Sequence, residues 1–189
     1  MDFLELCGQS GPIAILCNGP SLPVDRLEDI QIPTLGMNRT HFFPSTYYLA
    51  LEPDWLGVEF AGKYFLNAGI NLDPSWTDRG VRVPLQWANE FSMSATYGFY
   101  AGQTGYLAGQ VALGLGYKTV YYLGLDIVGG HFDGTPAADI EPKHFELMAR
   151  CLEGTDKRVY ICESPFSKCT AFPHRSINEI TGARYACVG

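Results

Sequence analysis

Polar residues of a few types recur at the ends of apolar runs in this chain, where they can hold a small ligand. Ala14-Ile15-Leu16-Cys17 leads straight into Asn18-Gly19-Pro20-Ser21. An amide side chain offers one acceptor and two donors. A glycine lets ligand and backbone approach closely, and a serine can cap a following helix whose free amides attract phosphate. Similar tips follow later apolar runs as Asn38-Arg39, Glu52-Pro53-Asp54 and Asp126. Asp126 has the chemistry to accept two ribose hydroxyls or to hold a hydrated Mg2+. Thr104 and Gly105 open a long apolar stretch, with Thr104 as the expected N-cap of a second anion-attracting helix start. Beyond Asp126 the segment Ile127–Pro136 carries three glycines and His131. A loop of this kind suits a lid, and an imidazole is its natural general base. Asp133 is placed either to orient that imidazole or to cap a turn.

Elements that would carry these residues alternate along the chain. Apolar runs at 11–19, 32–39, 46–53, 118–126 and 157–164 read as strands. The run at 80–88 reads as an edge or irregular strand because of Pro84. Leu22, Leu27 and Ile30 suggest a short amphipathic helix, and 54–65 a broken one. Residues 104–117 read as a buried helix stopped by Gly116. Residues 141–155 read as an amphipathic helix with Pro142 near its start and Lys143, Glu146 and Arg150 on the wet side. Alternation of this kind predicts a mostly parallel sheet with helices on both faces, in one α/β domain spanning 1–189. In such sheets ligands lie outside the carboxyl ends of the strands, the edge on which the polar tips gather.

Bulk properties narrow the classes. The 189 residues are 47% hydrophobic and 17% charged, a globular composition. The net charge of -7 argues against a phosphate-neutralising nucleic-acid surface. No apolar run reaches the roughly 20 residues of a membrane span, and the acidic N-terminal segment lacks the basic region of a secretory signal. The six cysteines form no CxxC pair and read as reduced thiols of a cytoplasmic protein. The chain is compatible with a homo-oligomer.

Three segments together carry a resemblance. "NGPSL" after the first strand, "MNR" after the second, and "TGYLAGQVALGLGYKTVYYLGLD" from Thr104 to Asp126 resemble the Rossmann-like bacterial sialyltransferases and the wider MptE-like family, named for a 6-hydroxymethylpterin diphosphokinase. The likeness spans roughly residues 13 to 133. It implies a nucleotide or nucleotide-sugar ligand, a CMP-sugar first, contacted by Asn18, Asn38, Thr104, Gly105 and Asp126, to which the turn chemistry above adds Gly19 and Ser21. It implies glycosyl transfer, for which His131, on a glycine-flanked loop beside a strand tip, is the candidate base. Under the alternative diphosphoryl transfer, Mg2+ would be held by Asp126 with Glu52 or Asp54. A third reading is a non-catalytic binding protein that kept the fold. The sequence departs from the sialyltransferase pattern at Val128 and near Gly130–His131, where two tyrosines stand in that family, and at Ala101, where an arginine stands. The family's histidine precedes the late helix; here His144 lies within it.

Overall fold

The structure, a computed structural model, describes residues 1–69, 80–86, 91–127, 129–136, 142–162, 164 and 167–181. Val128, Cys187 and the predicted element ends at Trp87–Ala88, Glu141 and Glu163 lie outside them. The strands are β1 (Pro12–Leu16), β2 (Thr34–Met37), β3 (Ser45–Ala50), β4 (Gly62–Asn67), β5 (Val81–Arg82), β6 (Leu85–Gln86), β7 (Phe99–Tyr100), β8 (Thr119–Leu123), β9 (Arg158–Cys162) and β10 (His174–Arg175). Helices are α1 (Pro53–Leu56), α2 (Thr104–Leu115) and α3 (Lys143–Leu152). Eight strands form one sheet in the order β10-β9-β8-β1-β2-β3-β4-β5, and every pairing in it is parallel. The short β6 and β7 pair separately. This is the expected Rossmann-like α/β architecture.

Strand order fixes where a ligand can sit. From β1 the chain builds outward to β5 on one side. It then returns to lay β8, β9 and β10 on the other. The order therefore reverses between β1 and β8, and connections diverging from such a point leave a crevice at the carboxyl ends.

Alternation along the central strands divides the core. Ile13, Ile15 and Cys17 face α2 and α3, with Tyr106, Leu107, Val111, Phe145 and Met148 packed over them. Each such side chain contributes about 1.5–3 kcal/mol by leaving water. The opposite face is covered more thinly. Leu22, Ile177 and Ile180 pack on Ala14, Leu16 and Leu123, and Leu56 of α1 packs on Tyr48, Ala50 and Phe65. Helices thus lie on both faces, but the second carries only short pieces. The amphipathic helix expected after Leu22 is a six-residue 3-10 segment, Val24–Asp29, that buries none of its residues. Pro23 at its start removes an amide and fixes φ, and i→i+3 bonding suits so short a piece.

Other expectations shift for local reasons. The stretch 54–65 resolves into the single turn α1 and the start of β4. Gly57 and Gly62 end helical pairing there, and Tyr64-Phe65-Leu66 pair along β3. The run 80–88 divides into β5 and β6 on either side of Pro84. Strand β9 is not the last, because β10 adds an edge beside it. Helix α2 ends as expected: Gly116 takes φ 112, a conformation in which a side chain is strained.

Candidate functional site

The α2 helix begins at the sheet's carboxyl edge because its last turns dock against the amino-terminal segment: Gln9 donates its amide to the Leu115 carbonyl at 2.9 Å. Tyr122 of β8 rises from the sheet beneath it and donates its hydroxyl to the Gly105 carbonyl at 2.9 Å. Room for that hydroxyl comes from Gly109, where any Cβ would overlap it. Gln103, not Thr104, is the N-cap residue, and no side chain caps the first turn. The leading amides of a twelve-residue helix are thus left for another partner.

Around that helix start lies a cleft of about 510 Å³, within the range of small-molecule sites. It is lined by Asn18 and Gly19 beyond β1, Asn38 and Arg39 beyond β2, Glu52, Asp54 and Trp55 beyond β3, Gln103, Thr104 and Gly105 at α2, Asp126 beyond β8, and His131. Nine of the ten residues singled out from the sequence therefore meet here: Asn18, Gly19, Asn38, Glu52, Asp54, Thr104, Gly105, Asp126 and His131. A second depression of about 610 Å³ is lined by Lys157, Arg158, Tyr160 and Arg175. It sits at the amino ends of β9 and β10, away from the switch point, and the chemistry does not gather there.

The asparagines are held with unused capacity. Asn38 is 8% exposed and adopts φ 49. Asparagine tolerates this left-handed conformation better than most residues. Tyr48, fully buried, donates its hydroxyl to the Asn38 carbonyl at 2.9 Å. Thr40 Oγ1 accepts the Met37 amide at 2.7 Å. Asn38 Nδ2 reaches Thr104 Oγ1 only at 3.5 Å. The Oδ1 atoms of both Asn18 and Asn38 are buried with no hydrogen-bond partner among the described residues. Buried acceptors are rarely left so. Ile127, which follows Asp126 and also lines the cleft, has φ 56, a costly conformation for a β-branched residue.

Asp126 and Ser21 depart from expectation together. Asp126 is 1% exposed, and both of its oxygens are already engaged. Oδ2 accepts the Ser21 amide at 2.7 Å. Oδ1 accepts the Ser21 hydroxyl at 2.6 Å and the Ser164 hydroxyl. The carboxylate is therefore the knot that joins the tips of β1, β8 and β9, not a free acceptor for ribose hydroxyls. Ser21 caps no helix and does not line the cleft, because its hydroxyl and amide are spent on that knot. Gly19 serves the same knot: a Cβ there would overlap the Gly124 carbonyl oxygen and come 2.5 Å from Asp126 Oδ2. Gly105 differs. A Cβ there would meet Met37, Phe145 and Leu125 at 3.6–3.8 Å, ordinary contact distance, so the protein's own packing does not demand a glycine there.

The loop bearing His131 is tied down. Phe132 donates its amide to the Asn18 carbonyl at 2.8 Å, and the His131 amide donates to Thr135 at 2.9 Å. Asp133 accepts from the Thr135 hydroxyl at 2.7 Å and pairs with Arg39 at 2.8 Å, so it caps the turn rather than orienting His131. Among the described residues His131 is the one histidine lining the cleft. His144, in the first turn of α3, instead lies against Tyr106, with ring centres 5.1 Å apart. Burial, with Asp126 nearby, raises the Cys17 thiol well above its ordinary pKa, so it stays protonated and is no nucleophile.

The donor set does not fit a resident Mg2+. Asp126 is occupied by serines, Glu52 accepts from Trp55 Nε1 at 3.2 Å, and no group of three or more metal-ligating side chains exists among the described residues. Some polar residues of the cleft and the knot were given no role from the sequence. Ser164 stands at the end of the β9 run, where the same strand-tip logic would have found it. Arg39 was noticed as part of a strand tip but assigned no contact, and Trp55 and Gln103 flank residues that were noticed.

No protein-family model and no curated protein matches this chain. Its fold is similar to solved sialyltransferases. One is CST-II in complex with trisaccharide acceptor and CMP, at 13% identity and TM-score 0.57, covering 90% of this chain and 88% of that one. Another is CstII from Campylobacter jejuni with the substrate analogue CMP-3FNeuAc, at 12% identity and TM-score 0.54 over 92% and 88%. A third is the monofunctional alpha-2,3-sialyltransferase Cst-I from Campylobacter jejuni, at 14% identity and TM-score 0.52 over 86% and 79%. Among the described residues no helix is long and apolar enough to cross a membrane.

Proposed function

We propose that the cleft binds a nucleotide-sugar, a CMP-sugar first, and that the protein transfers the sugar to an acceptor. The observation that carries this reading is the convergence, at the β1/β8 switch point, of two unengaged buried amide oxygens, Asn18 Oδ1 and Asn38 Oδ1, with the uncapped start of α2. Amide oxygens accept from the exocyclic amine of a base or from sugar hydroxyls. Helix amides hold a phosphate. The likeness of fold to proteins crystallised with CMP supports the choice of base.

In glycosyl transfer the anomeric carbon becomes cationic as the nucleotide leaves, and negative charge grows on the departing phosphate. The α2 amides and the Thr104 hydroxyl are the groups available to stabilise it. His131 is the base for the acceptor's proton. Diphosphoryl transfer of the MptE-like type finds less support, because it calls for Mg2+ and the acids here are spent or dispersed.

Thermal shift against CMP, UDP, GDP, ADP and ATP, each with and without Mg2+, tests the reading. A ligand bound only by the folded state raises the melting temperature. CMP is expected to do so without metal; stabilisation by ATP alone, and only with Mg2+, would replace this reading with the kinase.

Gly105→Ala tests the floor of the cleft. The methyl falls at ordinary contact distance and improves helix propensity, so the melting temperature should hold or rise. Gly105 also lines the cleft at the α2 start, so the added carbon should hold a phosphate off the helix amides, and CMP affinity should drop by about tenfold, the loss of a good hydrogen bond. Equal affinity in calorimetry would remove Gly105 from the ligand surface.

A further inference from the structure

Arg39 is the one lysine or arginine among the described residues lining the cleft, and its surroundings hold it ready for an anion. Its backbone is fixed on the turn Asn38–Thr40, through Tyr48 on one side and Thr40 on the other. Its guanidinium lies 5.6 Å from the centre of the Trp55 ring, a cation–π placement that restricts the side chain without using its N–H groups. Among the described residues its one hydrogen-bond partner is Asp133, through Nη1 at 2.8 Å. Both side chains are partly open to water, at 30% and 35%. A guanidinium has five donors in a planar fork, so most of this fork is unspent. The preceding residue, Asn38, reaches Thr104 at the start of α2, and Arg39 lines the same cleft as that helix start.

We infer that Arg39 forms a second anion subsite, which reads a charged group of the donor beyond its first phosphate, and that Asp133 is the stand-in anion this group displaces. The inference rests on the proposal that a nucleotide occupies the cleft. The class of ligand is a nucleotide with two separated anionic groups: a second phosphate, or the carboxylate of a sugar acid. Asp133 keeps the site charged and closed at rest. Hydrogen bonds from Thr135, and then the pairing with Arg39, lower its pKa to about 2. Because the folded value is depressed, the pairing is present above the ordinary carboxylate range and is lost only as pH falls toward 2. Acidity within the physiological range therefore leaves the pair intact, and a competing anion is what releases Arg39.

Calorimetry in EDTA with CMP, CDP and CMP-3FNeuAc tests this, using wild type, Arg39→Gln, Arg39→Lys and Asp133→Asn, each first checked for an unchanged melting temperature. At least one doubly anionic ligand should bind wild type about tenfold or more tightly than CMP, as a charge-assisted bond implies. Arg39→Gln should erase that advantage and leave CMP within about twofold. Arg39→Lys should restore only part of it, since the fork and its aromatic stacking are lost. Asp133→Asn should strengthen the doubly anionic ligand and leave CMP unchanged. A gain with CDP identifies the second group as phosphate, and a gain with CMP-3FNeuAc identifies it as carboxylate. If CMP binds and neither ligand gains, or if Arg39→Gln weakens CMP and its relatives with a second anionic group equally, the subsite is overturned while the nucleotide reading stands. If none of the three binds, both fall.

Discussion

Gly19→Val is expected to cost the protein its fold, not merely its ligand. The Cβ of any residue at position 19 would overlap the Gly124 carbonyl oxygen and press on the Asp126 carboxylate. Neither can yield cheaply. Gly124 is backbone at the end of β8 and accepts the Gly19 amide at 2.9 Å. Asp126 is held by Ser21 and Ser164 and is almost wholly buried. Hydrogen bonds to a buried charge contribute about 1.5–3 kcal/mol each. Displacing the carboxylate breaks two or three of them and leaves a charge without partners. The expected loss is about 4 kcal/mol or more, a large share of the ~5–15 kcal/mol that holds a domain together. Denaturant unfolding without nucleotide is the measurement, and Gly19→Ala should show most of the effect, since the first carbon already overlaps. A mutant that unfolds at the wild-type midpoint yet fails to bind nucleotide would return Gly19 to the ligand surface.

His131→Ala is expected to lower turnover by about two to four orders of magnitude, the usual worth of a general base, with little change in nucleotide affinity. The imidazole belongs to a cleft-lining residue whose backbone is set by the His131–Thr135 hydrogen bond and by the docking of Phe132 on Asn18. Truncating the ring leaves those backbone contacts in place, so the loop should keep its position. Donor hydrolysis is the assay, because it needs no knowledge of the acceptor, and calorimetry with CMP supplies the control. The pattern sought is a fall in kcat with the binding constant held. Donor hydrolysis at the wild-type rate would leave the chain as a nucleotide-binding protein without this base. That outcome would fit the departures at Ala101 and Val128 from the sialyltransferase pattern.

Much of the frame was legible in the residues. The runs that became β1, β2, β3, β8 and β9 are apolar enough to be buried on both faces, and the α2 stretch carries its own stop in Gly116. These are local signals, set by side-chain period and backbone freedom within a few residues. Because a parallel sheet presents all its carboxyl ends on one edge, the polar tips could also be assigned to one place before any coordinates. The run 80–88 was legible as one irregular strand but not as the separate β5 and β6, the two-residue β7 and β10 carry too little pattern to be seen, and β4 was masked by the helix-like turn before it.

Only the tertiary structure decided what the polar tips do. Asp126 and Gly19 look like ligand residues in a sequence, since a carboxylate and a glycine at a strand tip suit ribose and phosphate. The partners of Asp126, Ser21 at 105 residues' separation and Ser164 at 38, and the hydrogen bond of Gly19 to Gly124 turn them into an internal knot. Asn18 and Asn38, no more distinctive as letters, keep buried oxygens that no described residue hydrogen-bonds. Arg39 gains its meaning from Trp55 and from Asp133, 94 residues away. A residue type fixes which hydrogen bonds a side chain can make. Whether those bonds are spent on the protein or left for a ligand depends on neighbours brought together by strand order, and strand order is a property of the whole chain.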